Sequence, residues 1–594
     1  MSRYIAPIRE IVFGLDEIVQ LPEILSFKQT AKKSAPKFDV AWFDQAQRFA
    51  TEFLLPLSTP ENQEESIDHS GQVICPPGFE RAFQEFYRQG WMHPLHQNNI
   101  TQPICWSLQV ALHEIWNAAC PSLAAVFINS LVCFNTIQEY ATQELQQAFL
   151  PRLLHGHLTA SLALTEEQAG SDIRAIKTKA WPVGQHFRLS GHKQWVSYGQ
   201  HSLTEEKIYL TLARLQGSPI SGEQLSLFIV PQLTGIEHNP DLLNDILCQS
   251  LEKKFAFPGC PIANINFGTS QGAVAFAVGN QQKGLGYIED LLQIQRLMIC
   301  AQNLGICERT YQESVFYARN RIQGHTTKNS GSSPIIMHPD IRRLLMTMRT
   351  LIQAMRHGVY FTAGALDRAR NHFDTQEQQR YLGLFILLLP ILKTWSSQYS
   401  VHLTTLATHI HGAAGNRSDS IILQNIHNTL ASFSHGGTSG MLCQHVIQQE
   451  LIDKNGTSVR VFLDGMRETI PTLTRELGEE GTSIRFSLEA SIDALEETTD
   501  WILENYRQHT ARILAGSVPY VHLFGTVYLG WLLTEAVIAS KRLFNMAKID
   551  PATYQNKLLT AKFYADAILP QAEQDAITVM GGCSTILEMP IVSL

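Results

Sequence analysis

Three short stretches concentrate the side chains that could do chemistry. The first, LALTEEQAGSDIRAIKTKA (Leu162–Ala180), sets Thr165 and an acidic pair ahead of a Gly170-Ser171-Asp172 turn. By itself that turn is ordinary loop chemistry, with the aspartate available as a cap. The second, ASFSHGGTSG (Ala431–Gly440), offers His435 beside Gly436 and Gly437. An imidazole can serve as a base near neutral pH. The third, His409-Ile410-His411-Gly412-Ala413-Ala414-Gly415-Asn416, joins two histidines to small residues. No carboxylate stands beside those histidines to complete a ligand set, so they read as loop residues and no metal is expected.

These stretches need a large scaffold. The chain has 594 residues, 44% hydrophobic and 17% charged, enough for several domains around a sizeable core. A formal charge of -8 and dispersed basic residues argue against nucleic acid as a partner. Ten scattered cysteines without a C-x-x-C pair suggest neither a zinc site nor a disulfide framework, and point to reduced thiols. The opening MSRYIAPIREIVFGLDEIVQ carries acidic residues within its apolar pattern and does not read as a signal peptide, so a cytoplasmic location is expected. Ile513–Thr534 is uncharged and long enough to span a bilayer. Pro519, His522 and three glycines favour a buried helix pair there, with peripheral membrane contact as a minor alternative.

Hydrophobic spacing divides the chain into regions. AWFDQAQRFATEFLLPL, GFERAFQEFYRQGW and QELQQAFLPRLLHG have helical period, giving a helical domain over 1–159. HFRLSG, KIYLTLARL, LSLFIV, ANINFG and AVAFAVG read as strands of a β domain over 160–280. Helical period returns in a second helical domain over 281–463, where the Thr326–Pro334 segment TTKNSGSSP reads as a polar loop between two long helices. A further helical domain occupies 464–594, with the acidic stretch Glu476–Ser483 near its start. The fold class is α+β, mainly α.

In order along the chain, Leu162–Ala180, LSGHKQWVSYGQHSLTEEKIYLTLARL, LSLFIVPQL and QKGLGYIEDLL resemble blocks of the acyl-CoA dehydrogenase superfamily. YIAPIREIVFGLDEIV, HPDIRRLLMTMRTL and KLLTAKFYADAILPQA are similar to its long subgroup, which carries an additional C-terminal helical domain. The resemblance implies bound FAD, an acyl thioester substrate on coenzyme A or a carrier protein, a homodimer, and an electron-accepting flavoprotein as a further partner. By position it implies that Thr165 hydrogen-bonds the isoalloxazine, Trp195 flanks it and Ser197 lies beside it. Arg321, next to Arg319, matches the arginine that reaches the FAD diphosphate across a subunit interface, as a bidentate phosphate partner would. His409, Gly412, Gly415 and Thr438 fall in cofactor-contacting positions, and Ser171 lies where the family touches the thioester tail.

The resemblance fails at the base. The family's usual glutamate, which removes the α proton while the β hydrogen leaves as hydride, is replaced by Gly436 in His435-Gly436-Gly437-Thr438. An alternative base position before an Arg-Leu pair holds Gln295, ahead of Arg296 and Leu297, and an amide accepts no proton at useful pH. Asp290 and Glu289 lie more than a helical turn from it. The glycine-rich loop keeps two glycines, and the Arg-Asp-Ala-Arg run reads His427-Asn428-Thr429-Leu430. His435 is either a substitute base or a pocket-lining replacement for the family tyrosine. Three readings follow: a flavoenzyme with atypical oxidation or elimination of a thioester, for which a desulfinase of the family lacking the glutamate is a precedent; a flavin monooxygenase; or an inactive binding or assembly relative.

Overall fold

The computed structural model describes residues 4–27, 40–58, 66–67, 73–95, 102–217, 224–233, 243–326 and 329–593. After the short helices Ile8–Phe13 and Leu21–Ser26 come α1 (Ala41–Phe49), α2 (Phe79–Arg88), α3 (Trp106–Ala119), α4 (Pro121–Tyr140) and α5 (Gln143–Leu154). The middle region is a sheet of β1 (Leu158–Ala163), β2 (Lys179–Val183), β3 (His186–Ser197), β4 (Glu206–Leu215), β5 (Leu225–Pro231), β6 (Ile246–Leu251), β7 (Ile262–Phe267) and β8 (Ala273–Val278). Its order is β8-β5-β4-β2-β3-β7-β6, with β1 parallel to β4. Because β8 also pairs with β3, the strands β8, β5, β4, β2 and β3 close into a ring. A separate apolar cluster that includes Leu189, Val196, Tyr209, Phe228 and Ile265 fills this region.

Long helices follow: α6 (Gly284–Asn320), α7 (Pro339–Asn371) and α8 (Thr375–His411), then α9 (Ile421–Leu430), α10 (Ser439–His445) and α11 (Thr457–Leu477). The last region contains α12 (Thr482–Ala515), α13 (Ser517–Asn545) and α14 (Pro551–Ala567). The five expected strands and the long helices are present. The Thr326–Pro334 loop expectation is corrected: Asn329–Pro334 is a strand, paired antiparallel with Ile322–Thr326. Its Ser and Gly residues masked the pairing, since a short exposed hairpin needs no apolar alternation. Residue 464 lies inside α11, and the acidic stretch contributes the short Gly478–Gly481 turn between α11 and α12.

Two helices, Pro121–Tyr140 and Ser517–Asn545, are long and apolar enough to cross a membrane, but 89% of each apolar window is buried within the fold. Tyr520, Val521, Phe524, Val527 and Tyr528 of α13 are all inaccessible, and Gly525 lets it approach Trp395 of α8 so closely that a Cβ would lie 2.7 Å from the indole. Burial against other helices supplies the apolar surroundings that a bilayer would otherwise provide.

A charged network locks the helices together. Arg356 of α7 is bound to Glu114 of α3 at 2.6 Å and Glu308 of α6 at 2.7 Å, and the Tyr360 hydroxyl donates to Glu114 at 2.6 Å. Arg356 and Glu114 are fully buried. Lys557 of α14 pairs with Glu10 near the start of the chain, joining the two ends of the sequence.

Candidate active site

The first half of the site is built where β3 breaks its pairing with β7. Between Lys193 and Val196 the register slips by one residue, a β-bulge, and Trp195 takes a left-handed φ of 58°. A bulge re-aims the side chain it carries. The Trp195 indole is 57% exposed, although the adjoining Val196 is buried.

A buried ion pair holds this bulge against the Leu162–Ala180 segment. Lys193 Nζ bonds Glu166 at 2.8 Å and the carbonyls of Leu164 and Leu212. Glu166 also accepts from the Thr178 hydroxyl and from the backbone N–H groups of Lys177 and Thr178. Burial alone would raise the Glu166 carboxyl, but the Lys193 ammonium and these bonds outweigh it and lower its pKa. The Gln194 N–H donates to the Thr165 carbonyl at 2.8 Å, which sets Thr165 beside the bulge carrying Trp195. Asp172 caps the Ile173–Ala175 turn through the Arg174 N–H, and Ser171 is exposed. Ser197 is partly buried, its carbonyl accepting from Asn129 at 3.4 Å.

The second half lies between α6, α8 and the turn before α10. Gln295 Nε2 is 3.5 Å from His435 Nε2, a long contact that requires the ring nitrogen to be unprotonated. Arg296 Nε donates to the Gly436 carbonyl at 2.7 Å, and Lys393 Nζ donates to the Gly437 carbonyl at 2.8 Å. Two cations therefore clamp two successive carbonyls. Gly436 has φ 73°, and a Cβ on it would meet Ile299 Cδ1 at 3.0 Å and Arg296 Cγ at 3.2 Å. Burial, reinforced by Lys393, pushes the His435 imidazole down to about 4. It is neutral at physiological pH and a weaker proton acceptor than free imidazole. Asp290 accepts the Tyr140 hydroxyl at 2.5 Å, so its carboxylate is engaged with α4.

The remaining expected residues occupy a third group. Arg321 caps α6 as an exposed residue, and its carbonyl accepts from Ile335 across the hairpin base; Arg319 stays within the helix. Tyr317, one turn before Arg321, stacks on His411 at 4.4 Å, linking this end of α6 to the Gly412–Asn416 turn. Gly412 has φ 58°, Gly415 is buried and His409 is exposed. Thr438 is exposed at the start of α10. The run 427–430 acts as a contact with the β region: Asn428 accepts from the Phe257 N–H at 2.7 Å, and the His427 and Phe255 rings lie 5.4 Å apart.

The residues present suit a flavin. Among the described residues the hydroxyls of Thr165, Ser197 and Thr438 make no protein hydrogen bond, although backbone atoms of each residue do. An exposed indole and uncommitted hydroxyls are what a planar heteroaromatic ring with polar edges requires.

Models of three protein families match consecutive parts of the chain: "Acyl-CoA dehydrogenase, middle domain" at 161–268, "Acyl-CoA dehydrogenase, C-terminal domain" at 282–451, and "Acetyl-CoA dehydrogenase C-terminal like" at 462–590. The chain belongs to the acyl-CoA dehydrogenase family. A 3-methylmercaptopropionyl-CoA dehydrogenase of Ruegeria pomeroyi is 29% identical, over 97% of this chain and 98% of that one. Among solved structures, ACDH-11 of Caenorhabditis elegans in complex with C11-CoA matches with a TM-score of 0.71 and 17% identity, covering 92% of this chain and 91% of that one. An acyl-CoA dehydrogenase of Bacillus anthracis complexed with FAD gives 0.70 and 17%, covering 93% and 89%. These similarities extend over the C-terminal helices as well as the first three regions.

Sequence reasoning missed Lys393 and the Glu166–Lys193 pair. Lys393 had a readable signal, as the lone charge in LLLPILKTW, Leu387–Trp395. The ion pair had none, because its partners lie 27 residues apart and meet through the bulge.

Proposed function

We propose that this chain is an FAD-dependent oxidoreductase that acts on an acyl thioester, carried by coenzyme A or a carrier protein, without the carboxylate base usual in its family. Two observations carry this reading. The bulge presents an exposed Trp195 beside Thr165, and among the described residues Gln295, His435 and Gly436 have no carboxylate bonded to them.

The residues that would hold FAD are Trp195 against the ring, with the Thr165, Ser197 and Thr438 hydroxyls at its polar edges. Arg321, His409, Gly412 and Gly415 would serve its diphosphate end, and Ser171 the thioester tail. When bound, the flavin supplies a hydride acceptor. The protein's part is to hold the ring, orient the thioester and exclude water. Arg296 and Lys393 fix the Gly436 and Gly437 carbonyls, which keeps the turn before α10 in a single shape. His435, neutral and accepting from Gln295, lines this turn; its low proton affinity disfavours it as the base. A proton at the α carbon must therefore already be acidic, or the reaction must proceed by departure of a leaving group. Arg321 stands where the family's arginine reaches the diphosphate across a subunit interface, which supports a homodimer with the site shared between copies, and reoxidation by an electron-accepting flavoprotein would complete the cycle.

The test is an absorbance spectrum of the purified protein, followed by anaerobic addition of acyl-CoA thioesters. A bound flavin is expected, with ordinary saturated acyl-CoAs bleaching it slowly. A colourless protein that refuses added FAD would overturn the assignment. Rapid bleaching by simple acyl-CoAs would overturn the absence of a competent base.

A further inference from the structure

The turn 435–438 is held by positive charge with no bonded counter-charge. Lys393 is inaccessible to solvent, and the sole hydrogen bond of its ammonium among the described residues goes to the Gly437 carbonyl. Arg296 is partly buried and uses Nε on the Gly436 carbonyl, leaving its terminal nitrogens without a protein acceptor among the described residues. Arg296 Nη2 lies 3.6 Å from the point where a Gly437 Cβ would stand, so the guanidinium borders Gly437. Among the described residues no carboxylate is bonded to either cation: Gln295 and His435 are neutral, Cys300 and Cys443 are held as thiols by burial, and the exposed Glu289 acts on Arg296 through its field alone.

A buried cation without a carboxylate partner is costly, and proteins keep such groups where function requires them. A carboxylate at position 436 or 295 would balance this charge, but Gly436 and Gln295 provide none. A bound anion would balance it through the partly exposed Arg296, with the field of Lys393 behind it.

We propose that Arg296 and Lys393 select acyl thioesters whose acyl chain carries an anionic group, the substrate's own negative charge occupying the place of the missing protein carboxylate. This rests on the acyl-thioester reading above. A carboxylate would meet the guanidinium in the paired geometry such groups favour. A simple alkyl chain would bring no counter-charge to the two cations.

Titration calorimetry of the purified holoprotein against valeryl-CoA and glutaryl-CoA, alike in acyl carbon count but differing by a terminal carboxylate, tests the inference without depending on turnover. Glutaryl-CoA is expected to bind roughly tenfold or more tightly than valeryl-CoA. Two variants assign the effect. Gln295→Glu, isosteric at a buried position, supplies a fixed negative charge and is expected to abolish or reverse the preference. Lys393→Met removes one cation and is expected to reduce it severalfold. Equal affinity for the two thioesters in the wild type would overturn the anion inference and leave the thioester reading intact. Failure of both to bind would overturn the inference for coenzyme A thioesters. A preference for glutaryl-CoA that survives unchanged in both variants would show that another part of the chain recognises the anion, and would overturn the assignment to this pair.

Discussion

Arg356 and Lys393 are fully buried cations on neighbouring helices, α7 and α8, yet their surroundings differ in kind. Arg356 meets Glu114 and Glu308 within 2.7 Å, and Tyr360 supplies a further donor to Glu114. Lys393 meets one peptide carbonyl, with Arg296 nearby as a second positive charge. The two carboxylates raise the Arg356 pKa despite burial; burial lowers Lys393 to about 8, and Arg296 adds to that effect. A compensated cluster is what holding helices together requires. An uncompensated one is tolerated where something else is to be bound, and the contrast separates scaffold from site within one bundle.

The comparison can be broken most forcefully at its compensated end. Glu114→Gln leaves Arg356 short of a counter-charge and should destabilise the protein by about 3–5 kcal/mol, measured by chemical denaturation. A loss below about 1 kcal/mol would mean the network is not the scaffold element described. Glu166→Gln strands Lys193 under the bulge and should cost about 2–4 kcal/mol by the same mechanism. It should also release flavin, because Thr165 and Trp195 are positioned through that pair. Retained flavin in a destabilised protein would confine Glu166 to a structural role.

Lys393→Met should go the other way. Relief of the buried charge offsets the lost bond to Gly437, so stability should be unchanged or greater by about 1–2 kcal/mol, in the manner of residues kept for function. The pH dependence sharpens this. Because the folded-state pKa is lowered, the unfolded chain binds more protons than the native one between about 8 and the ordinary lysine value. The penalty is thus fully present below about 8 and is relieved as pH rises above it. The stability difference between variant and wild type should shrink over that interval, with Arg296, His435, Cys300 and Cys443 as the groups facing the ammonium. A difference that is flat from neutral pH to about 10 would show that Lys393 bears no buried-charge penalty.

The smallest stability effect is expected at Trp195. Trp195→Ala removes a largely exposed indole and should change apoprotein stability by no more than about 0.5 kcal/mol, while reducing FAD retention on gel filtration. Unchanged FAD occupancy would remove the indole from the cofactor site. The backbone also bears on restoring a base: Gly436→Glu would place a side chain at φ 73° against Ile299 and Arg296, whereas Gln295→Glu changes neither volume nor backbone.

Much of the fold was legible because it follows periodicity. Strands such as Leu225–Pro231 announce themselves as apolar runs, and the long helices by three- and four-residue spacing. Ile246–Leu251 escaped notice because its residues are alternately half-buried and exposed on the rim of the sheet, which weakens the apolar signal. The Asn329–Pro334 strand escaped for the same reason, being made of small polar residues. At the site, Trp195, Gln295, His435 and Gly436 were visible as residue types in family order. That Gln295 and His435 touch across 140 residues was not.

The sequence by itself determined the order of helical and β regions and the family, since these depend on local pattern and residue identity. The tertiary structure decided the rest. Only folding brings Lys393, Arg296 and the Gly436–Gly437 carbonyls together, and only burial converts an unremarkable lysine into an uncompensated charge. Electrostatics depends on distance and solvent exclusion, and neither is written in the spacing of residues along the chain.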